Sequence, residues 1–267
     1  MPNVEKGRIS DVPAPTHNFF VGRGPELDQI SDLLSTGSSR LITLAGPGGI
    51  GKTRLATEAI RQFKEEVGTG TVHWVRLARL SRDSDAEAVE RETASAVVKA
   101  DFSGRSAWEA LLDTLAQANS TKHGRVILVL DNCEHVLTGV QAMVVELLET
   151  LPELIVMITS RGPIGLPDEH LIGVPPLTKD QALALFRQRA ALAGRPISGE
   201  QEEAIAAEIC RHIHHHPLYI QLAAARLPRQ PLAINHAGLT GPGENDKRMR
   251  RSVGGDQRHQ KVNKVIV

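Results

Sequence analysis

The stretch LITLAGPGGIGKT, residues 41–53, decides the fold. Leu41 to Ala45 form an apolar run too short for a helix and stopped by glycines, so they read as a buried strand. From Lys52 to about Glu66 the apolar residues recur at helical spacing. Between strand and helix, Gly46, Gly48, Gly49 and Gly51 lead into Lys52 and Thr53 and complete the pattern G-x-x-x-x-G-K-[ST]. Glycines let such a loop fold tightly enough for its backbone N–H groups to converge on phosphate oxygens, and the helix behind it adds the positive end of its dipole. Lys52 is expected to reach the β- and γ-phosphates of a nucleotide, and the Thr53 hydroxyl to coordinate Mg2+. A mere glycine turn before a helix is the competing reading, and the strand–loop–helix context weighs against it.

Outward from this loop, short β-rich runs recur at Val72 to Leu77, Val126 to Leu130, Leu154 to Thr159 and Leu171 to Val174, with helical stretches near 85–99, 106–118 and 136–150. Upstream, Pro25 suits a first helical turn, and Leu27, Ile30, Leu33 and Leu34 continue at helical spacing to Gly37. Strands alternating with helices predict an α/β fold with a parallel sheet covered on both faces. From Thr178 the pattern is helical only, which predicts a small all-helical subdomain over 178–227 after a core spanning 18–177. Residues 1–17 carry Pro2, Pro13 and Pro15 without periodicity and read as an extended linker. Residues 228–267 hold eight Lys or Arg against three acids, a net charge of +5, and read as a disordered basic tail.

The 267 residues are 41% hydrophobic, enough to bury a real core, which excludes a disordered or fibrous class. A formal net charge of zero offers no global attraction to nucleic acid or to an anionic membrane. There is neither a run of about 18 apolar residues nor an apolar stretch near the start, so the expectation is a cytoplasmic protein with no membrane partner. Cys133 and Cys210 are the only cysteines and read as reduced, buried thiols.

Four further positions bear on the chemistry. Asp131 ends the run Val126–Leu130, where α/β sheets present ligand-binding groups, and is placed to hold the Mg2+ shell; a plain turn former or helix cap is the alternative. Asn132 stands where an acid is commonly expected as base for the attacking water, and an amide cannot take a proton, so slow turnover is expected and Asn132→Glu is the change expected to raise it. Glu134 is the nearest replacement base, equally readable as a solvated or capping residue. Arg161, after Ile158-Thr-Ser160, should emerge at the same sheet edge and either sense a terminal phosphate or merely solubilise the surface. His212, His214, His215 and His216 invite a metal reading, but neighbouring residues point in different directions and lack acidic or cysteine partners at ligand spacing.

Phe20-Val-Gly22-Arg23, GPGGIGKT, LVLDNCEHV at 128–136, ITSR at 158–161 and PLYIQLAAAR at 217–226 together resemble the STAND (AP-ATPase, NB-ARC-like) module of bacterial LuxR-type and AfsR-like transcriptional regulators. The resemblance covers about Val12 to Arg226. It implies a five-stranded ASCE-type P-loop NTPase core with a helical lid, holding ATP or ADP with Mg2+ as a switch. Val21 and Arg23 would lie against adenine and ribose, Pro217 would pack on the base, Asp131 would serve magnesium and Arg161 would read the terminal phosphate. Three departures stand out: Gly24 replaces a usual Glu although Glu26 is kept, His215 and His216 replace a Gly-Leu pair before Pro217, and no winged-helix, sensor-repeat or DNA-binding segment is recognisable after Arg226. The expectation is a switch truncated after the lid, with no direct DNA-binding domain, and with self-association or protein partners as further options. A vigorous ATPase or phosphotransferase and a non-catalytic, partner-binding remnant are the competing functions.

Overall fold

Val126–Asp131 (β4) is buried along its whole length, which only a strand covered on both faces can be. Its side chains divide by parity. Val126, Leu128 and Leu130 enter one apolar cluster, while Ile127 and Val129 enter another on the opposite face. The same split runs through Leu154–Ser160 (β5), with Val156 and Ile158 on the first side and Ile155 and Met157 on the second.

The computed structural model describes residues 9–10, 20–67, 70–82, 84–98, 104–120 and 125–229. Around β4 and β5 lie Leu41–Ala45 (β2), Thr71–Arg76 (β3), His170–Gly173 (β6) and the two-residue Ile9–Ser10 (β1). All pairings are parallel and the order is β1-β3-β4-β5-β2-β6. The five strands read from the sequence are thus present, and Ile9–Ser10 adds a sixth at the edge. Two residues are too few to show periodicity, which is why this strand was not legible in the linker assigned to 1–17.

Gly24–Thr36 (α1) and Lys52–Val67 (α2) cover the face carrying Ile42, Leu44 and Trp74. Ala86–Val97 (α3), Ala107–Ser120 (α4) and Leu137–Thr150 (α5) cover the other. One strand, β5, lies between β2 and β4, so the loop after β2 and the residues after β4 open at one sheet edge with the end of β5 in the middle. That edge positions the site.

The chain divides into two compact units, Met1–Val174 and Pro175–Val267. The described part of the second holds Lys179–Leu192 (α6), Gly199–His212 (α7) and Pro217–Ala225 (α8). Thr178 caps α6 in a reciprocal box with Gln181, satisfying two of the N–H groups that a helix start leaves open. Phe186, Ala206, Ile209, Ile220 and Ala224 are buried in this unit. The basic tail falls outside the described residues from 230 onward, as does the linker apart from Ile9 and Ser10. Among the described residues, no helix is long and apolar enough to cross a membrane.

Candidate functional site

The loop between β2 and α2 is tied to the sheet at its start, where the Gly46 amide donates to the Ser160 carbonyl at 3.2 Å, and closed by a turn in which Ile50 N donates to Pro47 O at 3.3 Å. Gly49 and Gly51 sit at φ 76° and 104°, values that side chains with a Cβ resist. A Cβ on Gly46 would stand 3.0 Å from the Val174 carbonyl oxygen, so the loop passes close against the sheet edge there.

Lys52, in the first turn of α2, is only 7% exposed and folds back over its own loop, donating from Nζ to the carbonyls of Gly46 at 2.8 Å and Pro47 at 3.1 Å. Burial holds this ammonium below the usual lysine range; Glu134 pulls it back up, Arg161 presses it lower and Asp131 raises it again. Carbonyls are weak acceptors beside phosphate oxygens, so an anion entering the loop can take the lysine from them.

Asp131 ends β4 at 6% exposure. Its Oδ1 accepts two hydroxyl hydrogen bonds, from Thr53 at 2.7 Å and from Thr159 at 2.6 Å. Thr53 thereby commits its proton to the carboxylate and keeps its oxygen lone pairs for another partner. Thr159 uses both capacities of its hydroxyl, because its oxygen also accepts the Asn132 amide at 2.9 Å. Reading the sequence assigned no role to Thr159; the signal present was a polar residue near the end of a strand next to the one that carries Asp131. Hydroxyl and carboxylate make an all-oxygen donor set, which fits the hard Mg2+ ion.

Asn132 adopts a left-handed backbone, φ 68°. Asn tolerates this conformation better than most residues, so the amide at this position has a local explanation. Glu134 follows in the turn before α5 and pairs with Arg161, whose Nε donates to Glu134 Oε1 at 3.1 Å. Arg161 is two-thirds exposed, and its Nη2 lies 4.0 Å from where a Cβ on Gly48 would stand. The structure therefore brings Gly46, Gly48, Gly49, Gly51, Lys52, Thr53, Asp131, Glu134 and Arg161 to one edge.

Val21 and Arg23 precede α1. Val21 is half-buried, and Arg23 turns its guanidinium inward, donating from Nη2 to the Ile50 carbonyl at 3.1 Å and pairing with Glu26 at 3.5 Å. Burial lowers the Arg23 pKa, with Glu26 partly offsetting it. Its side chain thus braces the loop from behind. In the second unit, Pro217 is buried in the first turn of α8, and the His216 ring stacks on Tyr219 at 4.5 Å. His214 and His215 take left-handed φ values of 55° and 54°, and among the described residues no group of three or more His, Cys, Asp or Glu gathers as a metal site.

The AAA ATPase domain family matches residues 20–158. A Mycobacterium tuberculosis protein named "Putative HTH-type transcriptional regulator" is 38% identical over 200 residues, 73% of this chain and 21% of its own length. The regulatory protein AfsR of Streptomyces coelicolor is 28% identical over 234 residues, 82% of this chain and 22% of its own. The chain thus spans about a fifth of the length of each of these relatives. Among solved structures, the Drosophila ORC bound to DNA aligns with TM-score 0.59 at 13% identity, over 91% of this chain and 85% of that one, a likeness of fold alone. The resemblance to AfsR-like regulators read from the motifs is borne out by these relatives.

Proposed function

This chain belongs to the AAA ATPase domain family, and from that premise we propose that it is an ATP- and ADP-binding switch module of a cytoplasmic transcriptional regulator, with slow Mg2+-dependent hydrolysis at most. The observation that carries the proposal is the convergence of Lys52, the Thr53–Asp131–Thr159 hydroxyl–carboxylate cluster and Arg161 around one glycine loop. In this reading the amides of Gly46, Gly48, Gly49 and Gly51 cradle the phosphates, and Lys52 exchanges its two carbonyl acceptors for β- and γ-oxygens. Thr53 and Asp131 hold the magnesium ion, which would neutralise charge developing on the phosphates. Arg161 reads the terminal phosphate. On family resemblance, Val21 and Arg23 are assigned to the ribose and base side and Pro217 to the base.

Slow turnover follows from the absence of a carboxylate at Asn132, the position beside Asp131 where a base for the attacking water is expected. A switch needs the bound state to persist; rapid hydrolysis would erase it. Any protein partner or self-association would then read the nucleotide state. The test is the mass of the small molecule released on denaturing freshly purified protein. ADP or ATP at near-stoichiometric yield supports the proposal, and a guanine nucleotide contradicts it.

A further inference from the structure

Glu134 occupies an unusual electrostatic position for a phosphate-binding edge. It is 16% exposed, places Oε1 3.1 Å from Arg161 Nε, and buries Oε2 without a hydrogen-bond partner. A carboxylate oxygen buried without a partner is costly, so the guanidinium is the main compensation this group has. Arg161, by contrast, is largely in solvent and loses little by swinging to another anion. Its Nη2 already leans toward the loop at Gly48. Lys52 completes the cluster, with Asp131 as the other nearby acid.

We propose that the Glu134 carboxylate is an internal stand-in for the terminal phosphate: it holds Arg161 over the loop, is displaced when a triphosphate binds, and so biases the site toward nucleoside diphosphate. The inference rests on the nucleotide-binding reading above and deepens it. A guanidinium edge offers two parallel donors, and a phosphate matches that fork better than the single contact Glu134 makes. Yet the γ-phosphate must also approach a fixed negative charge at close range, a repulsion a diphosphate escapes. The competition of Glu134 for Arg161 and this repulsion both lower triphosphate affinity relative to diphosphate, and both depend on the charge of Glu134. This gives a switch a reason to rest with diphosphate bound.

Calorimetric titration of the full chain with MgATP and MgADP, for wild type and Glu134→Gln, tests this. The glutamine keeps the shape and removes the charge. ATP is expected to tighten about fivefold to tenfold while ADP stays within about twofold. Arg161→Gln should do the reverse, weakening ATP and sparing ADP. If Glu134→Gln melts below the assay temperature, Glu134→Ala carries the same expectation. An ATP-to-ADP affinity ratio that is unmoved or falls when the charge is removed overturns the inference and leaves the nucleotide reading standing. A wild type that binds neither nucleotide overturns both.

Discussion

The hydroxyl of Thr159 donates to Asp131 Oδ1 at 2.6 Å, the same oxygen that takes the Thr53 hydroxyl at 2.7 Å, so two strands and the first turn of α2 meet on one carboxylate atom. Thr159 also receives the Asn132 amide, and its side chain is almost fully buried. It is a positioning residue: it does not face a ligand in this arrangement, but it orients the one carboxylate assigned to magnesium.

Thr159→Val keeps the shape and strips the hydroxyl, leaving the Asn132 amide and the carboxylate each one partner short. Stability should fall by about 1–3 kcal/mol. Nucleotide affinity should fall about tenfold with Mg2+ present and change little when EDTA is added, because the lost orientation matters only to the metal. Urea unfolding and paired titrations measure the two effects. An equal loss with and without the metal would show that Thr159 is merely structural.

Asn132 has a left-handed backbone, so Asn132→Gly should leave stability within about 0.5 kcal/mol, whereas Asn132→Glu should cost about 1 kcal/mol or more. A glutamate introduced here as a base for the attacking water therefore carries strain with it. Urea midpoints of the three proteins decide this; a glutamate variant as stable as wild type would show the backbone to be relaxed at 132.

Both thiols should be inert in the folded protein. Burial pushes Cys210 up to about 12 and Cys133 well above the ordinary thiol range, with Asp131 and Glu134 adding to the rise at Cys133. A free thiol of pKa about 8.5 becomes steadily more reactive between pH 7 and 9, as the thiolate fraction grows. Here the thiolate is not populated in that window, so labelling by a disulfide reagent should be slow, rise little with pH, and release two equivalents only on unfolding. Fast labelling at pH 8 would place a cysteine in an opening segment.

Much of the architecture was legible because its signals are local. The apolar runs at 126–130 and 154–159 became β4 and β5, and the loop motif lies within eight consecutive residues. What was not legible is long-range or conformational. The Thr159–Asp131 bond joins residues 28 apart, the Arg23–Ile50 bond residues 27 apart, and both depend on strand order, which periodicity does not specify. The inward turn of the Arg23 guanidinium onto Ile50 is one such feature. The histidine run likewise looked chemical as a string, but two of its members are backbone corners and one packs on Tyr219.

Phosphate release by wild type should stay below about 1 per second, the low end of ordinary enzyme turnover. No acid sits at 132, beside the carboxylate assigned to magnesium. A steady-state assay under saturating MgATP measures it. Turnover of tens per second would favour a motor or phosphotransferase over a switch.

In the proposed function the loop of residues 46–53 binds nucleotide phosphates through Lys52. Calorimetric titration of wild type and Lys52→Ala with MgATP tests it most directly, with a thermal melt as the control for folding. Lys52 donates its hydrogen bonds to carbonyls of its own loop, so the variant should fold. Saturable one-to-one binding by wild type and a loss of about a hundredfold or more in the variant are expected. Equal affinity in a folded Lys52→Ala protein, or no binding by wild type at all, would contradict it.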